Sequence, residues 1–390
     1  MNDDTRTIRR SLRFLQAETV LSSTVFAMPI MNIFFADEIG MSMEQIGISQ
    51  AAFMMAMLLC NVPTGWLADR FSRRLSNMVG DVIAAGGYIG YAFAANLEQV
   101  IIYEIIIGIG LSFSFGADSA LLRGYSERLG LSYLRIEAQT NKYKPVGAAA
   151  AVMIGGFVGA HSPRLAIAMS AITYIVGAVL SYFIVEVGER RITDRHPLRD
   201  MATITHRVLY GHSQLAWSVM ARALAVNSTH SIIWVLTPLL IMAGVPIWLV
   251  GTGWAVTLLS TWFGAHMAYH YAERLAEWQR YALPIVFLAL SCTVLAIHVD
   301  LVTIWFYAGF GIVRGWYGAT ITPMIQRFTP SDQIATTLSV ADSASRLLFI
   351  PLVWGLTALA DASPQMTMAA NMMLFVPLML AVTHQLRRIE

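Results

Sequence analysis

Several ionisable side chains of this sequence lie inside long apolar stretches, where a charge is costly and indicates a function. Glu104 and Asp118 share one such stretch, Arg314 lies in another, and Asp342 lies in a third. A carboxylate at membrane depth can take up and release a proton, whereas a guanidinium can hold a carboxylate or phosphate through two parallel hydrogen bonds. These residue types predict proton transfer and the binding of an anion.

The candidates for proton coupling are Glu104, Asp118 and Asp342. At about 100° per residue, Glu104 and Asp118 share one face of a helix, one toward each end, as a proton pathway would need. Pairing of each acid with a neighbouring side chain is the structural alternative. Asp342 lies four residues before Arg346, so we expect a charge pair within one helix, and coupling would require protonated Asp342 to release Arg346.

The candidates for solute binding surround Arg314, which shares a helical face with aromatic side chains that could pack an apolar body. A salt bridge from Arg314 to Glu104 or another acid is the structural alternative. Arg222 lies near a helix end and could instead extend to the membrane surface. The predicted solute-binding set is Arg314, Tyr307, Phe310, Tyr317, Arg222, Asn227 and His230.

Metal chemistry has weaker support. His266 and His270 are spaced i, i+4, as in helical metal sites, and the 21 methionines would suit copper. Methionines such as Met54 are nevertheless typical of packing. Cys60 and Cys292 both lie in apolar segments, so neither a disulfide nor a thiolate site is indicated. We expect no metal and no cofactor, and a transition-metal importer remains a remote alternative.

The elements that position these residues must be membrane helices. The chain of 390 residues is 56% hydrophobic and 13% charged, with a mean hydropathy of +0.59, whereas soluble proteins are about 25% charged. A spanning helix needs roughly 20 apolar residues, and a membrane β-barrel would show shorter alternating segments. Twelve spans are predicted, at 17–36, 46–68, 77–96, 99–122, 143–161, 165–185, 214–243, 247–271, 281–298, 301–326, 333–359 and 366–386.

The basic residues predict the topology. With both termini in the cytoplasm, all but four of the 26 lysines and arginines fall on the cytoplasmic side, as the positive-inside rule requires. We therefore expect a multi-pass protein of an inner or plasma membrane. The first apolar run has no cleavage site and is predicted to be the first helix, not a signal peptide. The net charge of +2 gives no reason to expect a nucleic-acid partner.

The longest polar connection, 187–212, predicts two six-helix bundles, 1–186 and 213–390, joined by a cytoplasmic linker. A weak internal repeat agrees with this division. The pair Gly108 and Gly110 has a counterpart in Gly309 and Gly311, about half the chain further on. Such a repeat is typical of transporters built from two related halves.

A charged hinge separates the second and third spans. Its sequence is Gly65-Trp66-Leu67-Ala68-Asp69-Arg70-Phe71-Ser72-Arg73-Arg74. The pattern G-x-L-A-D-R-x-x-R-R, with twelve spans and a long central loop, resembles the major facilitator superfamily. Ser72 stands where that family usually has glycine, which should stiffen the turn. The resemblance covers the whole chain in architecture and about ten residues in motif.

The resemblance implies a transporter that works by alternating access. It also implies that Gly65, Asp69, Arg70 and Arg73 form a conformational latch. Asp69 lies at its helix C-terminus, where an anion is disfavoured, and the segment 331–332 at the start of the eleventh span offers it a better partner. Gly65 would allow close helix approach. A solvated loop that only obeys the positive-inside rule is the alternative.

We predict a secondary active transporter for a small organic solute, anionic or zwitterionic, coupled to protons and active as a monomer. A multidrug/proton antiporter is the alternative. Two signatures of such antiporters are missing, because Glu104 stands where they carry arginine and the fifth span lacks their glycine-proline-glycine motif. An enzyme is not expected, since neither a catalytic triad nor a nucleotide-binding loop is visible. A membrane sensor would need a soluble output domain, and the loops leave no room for one.

Overall fold

The computed structural model describes residues 3–114, 117–187, 213–329 and 334–389. The helices before residue 188 are α1 (Asp3–Leu21), α2 (Met43–Arg70), α3 (Arg73–Ala92), α4 (Leu97–Ser114), α5 (Ala117–Leu129), α6 (Tyr133–Gly159) and α7 (Pro163–Tyr182). Those after residue 212 are α8 (Ser213–His230), α9 (Leu236–Met242), α10 (Val250–Tyr271), α11 (Glu277–Ile297), α12 (Ala308–Arg327), α13 (Ile334–Ala362) and α14 (Pro364–Ile389).

The predicted all-helical membrane fold is confirmed. In the described ranges, eight helical segments are long and apolar enough to cross a membrane, and each predicted span overlaps at least one helix. The chain divides into unit 1, Met1–Gly40 with Ala52–Asp194, and unit 2, Met41–Ala51 with Arg195–Glu390. The first turns of α2 thus belong to unit 2. Apart from Val187, the predicted linker lies outside the described residues.

Unit 1 is built around α3, which packs along α4 and α7, while α1 packs against α5, α6 and α7. Two helices begin at a serine cap. Ser72 Oγ accepts the Leu75 N–H before α3, and Ser162 Oγ accepts the Leu165 N–H before α7. Each cap satisfies an N–H that has no partner inside its helix. One buried core cluster joins α1, α5 and α6 to the segment after α7, and consists of Ile8, Leu12, Leu15, Leu121, Leu122, Tyr125, Ile136, Ile184 and Val187.

The first span of unit 1 is interrupted, which the sequence did not predict. Helix α1 starts well before residue 17 and ends at Leu21, and a short π-helical segment at Phe34–Ile39 completes the span. The intervening backbone packs on α6 and α7. A Cβ on Gly155 would lie 1.8 Å from the Phe26 carbonyl oxygen, and Ser170 Oγ accepts the Ala27 N–H. The glycine makes room for the unwound chain, and the serine satisfies one of its exposed donors.

Unit 2 repeats the interruption. Its first predicted span, 214–243, contains α8, a short 3-10 turn at Ile233–Val235, and α9. Helix α8 contacts α12, α13 and α14, and α10 packs most extensively on α12. Interrupted spans expose backbone groups at membrane depth, and such groups commonly lie beside binding sites in transporters.

Candidate functional site

Arg314 of α12 lies at the point where α8 ends. Its Nη2 donates to the Thr229 carbonyl at 2.9 Å, and its Nε lies 3.4 Å from Thr229 Oγ1. Thr229 is in the last turn of α8, where carbonyls lack partners within the helix and the helix dipole favours a cation. The break in the first span of unit 2 thus provides the acceptors that hold this half-buried guanidinium.

A second guanidinium and an imidazole lie close to Arg314. The charges of Arg314 and Arg346 both act on the ring of His230. That ring also packs on Phe349, with 5.1 Å between the ring centroids. Helices α8, α12 and α13 therefore bring two arginines, a histidine and an aromatic ring together in unit 2. We call Arg314, Arg346, His230 and Phe349 the basic cluster.

Asp342 forms its ion pair with α8. The Asp342 Oδ1 atom lies 2.7 Å from Arg222 Nη2 and 3.1 Å from Arg222 Nε, and Arg222 Nη1 donates to Thr322 Oγ1 at 3.0 Å. The sequence predicted a pair between Asp342 and Arg346 within α13. The charge of Asp342 does act on Arg346, and Asp342 also hydrogen-bonds to Arg222, which is held between α12 and α13.

The predicted aromatic candidates are buried in unit 2. Tyr307, Phe310 and Tyr317 are each no more than 3% exposed. The Tyr307 hydroxyl donates to the Ile232 carbonyl, and the Tyr317 hydroxyl donates to the Tyr281 carbonyl, both at 2.7 Å. The two hydroxyl groups thus bond to the break after α8 and to α11.

Asn227 also joins helices. It is fully buried, and its Nδ2 donates to the Ala223 carbonyl within α8 and to the Ser345 carbonyl of α13, at 2.8 and 2.9 Å. The second bond joins α8 to α13 at the residue before Arg346.

In unit 1, Glu104 accepts a hydrogen bond of 2.8 Å from the Tyr91 hydroxyl and is 5% exposed. The ring of Tyr91 packs in turn on Phe34 and Phe35. Glu104 therefore lies in a polar contact within an aromatic region, beside the second part of the interrupted first span.

Asp118, which is partly buried, belongs to a group of acids that the sequence predicted only in part. It accepts a hydrogen bond from the Asn77 side chain. The charges of Asp118, Asp81 and Lys144 all act on Glu18. Glu18 is fully buried and Asp81 is 2% exposed. We call Glu18, Asp81 and Asp118 the acidic cluster.

Two oxygens of the acidic cluster, Glu18 Oε1 and Asp81 Oδ2, have no hydrogen-bond partner among the described residues. Gly177 of α7 leaves room for Asp81, since a Cβ there would lie 2.7 Å from Asp81 Oδ2. The predicted spans 17–36 and 77–96 already contained Glu18 and Asp81. The criterion applied to Glu104, an ionisable residue inside an apolar span, would have found both.

The hinge is attached within unit 1. Arg70 lies over the Trp66 ring at 5.0 Å. The Ser72 hydroxyl and the Arg73 backbone N–H both donate to the Glu186 carboxylate. No described atom lies within 4 Å of a Cβ placed on Gly65, so the expected close approach is not seen there. The Asp69 side chain and the proposed partner segment 331–332 lie outside the described residues, and the latch stays a prediction.

His266 and His270 are neighbours on α10, with ring centroids 4.3 Å apart. His270 Nδ1 is 3.0 Å from the His266 carbonyl, and the His266 ring stacks on Trp262. In the part of the chain that the structure describes, no three His, Cys, Asp or Glu side chains lie close enough to hold a metal ion.

An all-helical chain with interrupted spans and ionisable groups held within its helical units has the features of a multi-pass membrane transporter. The family model of the Major Facilitator Superfamily matches residues 19–353. The chain belongs to this superfamily, as its hinge suggested, and it is a transporter of small solutes and not an enzyme.

The similar proteins transport different solutes. The chain is 31% identical over 96 residues to the 4-hydroxybenzoate transporter PcaK of Pseudomonas putida, a match that covers 24% of this chain and 21% of that one. A mutant of the nucleoside transporter NupG superposes with a TM-score of 0.80 at 11% identity, covering 98% and 99% of the two chains. A D-xylose-proton symporter gives 0.73 at 13% identity, covering 97% of each. The two structural matches support the fold alone.

Proposed function

We propose that this chain is a secondary active transporter that moves a carboxylate-bearing aromatic solute together with protons by alternating access. The proposal depends on the hydrogen bonds of Arg314. Among the described residues its hydrogen bonds go to Thr229 alone, and no carboxylate pairs with it. A cation inside a membrane protein is costly and needs a counter-charge. A solute carboxylate would supply that charge through the N–H donors on Nη1.

The surroundings of Arg314 suit the rest of such a solute. The ring of His230 offers a flat surface, the buried ring of Phe349 packs against it, and Arg346 adds a second positive charge. Aromatic pairs gain about 0.5–1.5 kcal/mol beyond area burial. The matched transporter from Pseudomonas putida is named for 4-hydroxybenzoate, an aromatic carboxylate. That name supports the same solute class here, over a limited stretch of sequence.

The acidic cluster of unit 1 supports proton coupling. Three neighbouring carboxyl groups inside a membrane protein carry a large electrostatic cost when all are charged, and a bound proton would reduce that cost. Glu18 Oε1 and Asp81 Oδ2 lack partners in the described structure and are therefore suited to exchange protons. Moving a proton with a monocarboxylate also avoids moving net charge against the membrane potential, which costs about 2.3 kcal/mol per charge per 100 mV.

The proposal is tested by uptake into proteoliposomes with an imposed pH gradient. The panel is labelled 4-hydroxybenzoate, benzoate, a nucleoside, xylose and a cationic dye. We expect the two carboxylates to accumulate when the outside is acidic, because both proton and solute then move inward. Arg314→Gln should reduce uptake at least tenfold, because the variant loses a charge-assisted hydrogen bond to the solute. Arg314→Lys should keep part of the activity.

Matched variants separate solute binding from coupling. Glu18→Gln and Asp81→Asn should abolish accumulation driven by the pH gradient while leaving counterflow exchange of the solute intact. The exposed Glu98→Gln and Arg274→Gln variants should behave as wild type. Dye efflux in place of carboxylate uptake would favour the multidrug antiporter, and full uptake by Arg314→Gln would remove Arg314 from the solute site.

A further inference from the structure

Unit 2 contains a polar cavity, between the start of α11 and the end of α12. Its volume is about 270 Å³. The guanidinium of Arg387 lies over the Trp278 ring at 5.1 Å, so the last turns of α14 adjoin the first turn of α11 at this end of the unit. The lining residues are Arg280, Tyr281, Thr320, Ile321, Pro323, Met324 and Arg327.

This cavity is separate from the basic cluster. On α12, Arg314 and Thr322 both contact α8. At about 100° per residue, Thr320, Met324 and Arg327 lie roughly 120°, 80° and 140° around the helix from Arg314, and Ile321, on the face of Arg314, lies about two turns further along the helix. Most of the cavity wall on α12 therefore lies on the side that faces α11, and neither Arg222 nor Asp342 lines it.

The walls of the cavity have two kinds of surface. Tyr281, Ile321 and Met324 are 2%, 3% and 7% exposed and form an apolar floor. Arg280 and Arg327 provide two positive charges, and none of the lining residues is acidic. Arg280 Nε donates to the Leu275 carbonyl at 2.9 Å, which holds its guanidinium in place, and among the described residues this is the hydrogen bond that the guanidinium makes. Two arginines over an apolar floor match an anion attached to a hydrophobic body.

We propose that this cavity binds a phosphate-bearing anion. The planar guanidinium donates to phosphate oxygens in pairs, and basic pockets between helices at the membrane surface hold anionic lipid headgroups. The phosphate could belong to an anionic phospholipid, whose glycerol would lie on the floor, or to a soluble phosphate compound. The site is independent of the transported solute.

The test measures the melting temperature of the purified full-length protein in detergent. The protein is titrated with phosphatidylglycerol, phosphatidylcholine or inorganic phosphate. The variants are Arg327→Gln, which alters an exposed residue, and Arg280→Gln, with Arg274→Gln as a control for loss of charge at a similar position outside the cavity. If the bound phosphate belongs to a lipid, phosphatidylglycerol should raise the melting temperature and phosphatidylcholine should not. The half-effective concentration should rise roughly fivefold in each cavity variant and stay unchanged in the control.

The other outcomes are equally definite. Stabilisation by inorganic phosphate that weakens in Arg327→Gln, with no response to phosphatidylglycerol, supports the same site with a soluble ligand. The proposal is overturned if neither probe stabilises the protein, or if Arg274→Gln weakens the response as much as Arg327→Gln. Should Arg280→Gln fail to fold, Arg327→Gln alone decides between these results.

Discussion

Arg222 is a charged side chain held by two helices at once. Its Nε and Nη2 share Asp342 Oδ1 of α13, and Nη1 reaches Thr322 of α12. The two side chains of the ion pair are 21% and 26% exposed, so each charge has lost much of its water. Removing one partner of such a pair leaves the other with a desolvation cost that nothing offsets.

We therefore expect Arg222→Gln and Asp342→Asn each to lower the free energy of unfolding by about 1–3 kcal/mol, less than the loss for a fully buried pair. The double variant should lose less unfolding free energy than the two single variants added together, because no isolated charge remains. Reversible unfolding in mixed micelles measures all three. Strict additivity would contradict a direct interaction, and Arg274→Gln serves as the exposed control.

The sequence identifies which residues belong to the candidate site, but it identifies only some of the partners that these residues contact. Arg314 was identified because a lone arginine in an apolar span is unusual. Asp342 was assigned to Arg346 because only partners within one helix are visible in a single sequence. Arg222, which also hydrogen-bonds to Asp342, is 120 residues away, and only tertiary packing brings the two together. The grouping of Glu18 with Asp81 depends on the same kind of long-range contact.

At the scale of elements, glycines set the closest helix contact in unit 2. A Cβ on Gly315 of α12 would lie 1.9 Å from the Thr261 carbonyl oxygen of α10, and one on Gly264 would lie 2.2 Å from the Ile312 carbonyl oxygen. The two backbones can approach this closely only because neither side carries a side chain there.

We expect Gly315→Ala to lower the free energy of unfolding by roughly 1–3 kcal/mol, because α10 must move to admit the methyl group. Gly318→Ala is the matched control on the same helix, since no described atom lies within 4 Å of its Cβ. There alanine should be neutral or stabilise by up to about 1 kcal/mol, through helix propensity. Equal effects at both positions, read from thermal unfolding, would count against the close contact.

The predicted relation between the two halves stays a prediction, and the glycines of the repeat contact different helices. In unit 1, Gly108 faces α2 and Gly110 faces α3, whereas in unit 2 Gly309 faces α11 and Gly311 faces α10. In each unit, one glycine of the pair contacts each of the two neighbouring helices. The order is reversed, because the first glycine contacts the earlier of the two helices in unit 1 and the later one in unit 2. The interruptions after α1 and α8 were missed because apolar composition is continuous across them, and hydropathy does not record where the backbone unwinds.

At the scale of the whole molecule, the start of α2 is built into unit 2. Asp361 of α13 accepts the N–H groups of Met43 and Glu44 at 2.7 and 2.9 Å. Ser42 and Gln45 cap the same turn reciprocally. Further along, a Cβ on Gly47 would lie 2.0 Å from Thr357 Oγ1. The first N–H groups of α2, early in the chain, are thus satisfied by Asp361, late in the chain.

Asp361→Ala should expose two amides that the wild-type carboxylate protects. Loss of a helix cap costs about 1 kcal/mol, so the amides of Met43 and Glu44 should exchange with solvent about fivefold faster. The Gln45 amide, which bonds to Ser42 Oγ, is an internal control and should change little. Hydrogen exchange followed by mass spectrometry of this segment measures both. Unchanged exchange at Met43 and Glu44 would show that Asp361 does not cap the helix.

The same contact has a consequence for biosynthesis. Met43 leaves the ribosome 318 residues before its hydrogen-bond acceptor, a delay of roughly 16–64 s at ordinary rates of translation. Throughout that interval the first turn of α2 has two backbone donors without their final partner, in or near a membrane where such donors are costly. The nascent chain must therefore hold this turn at the lipid–water boundary, or with an insertion factor, until α13 has been made.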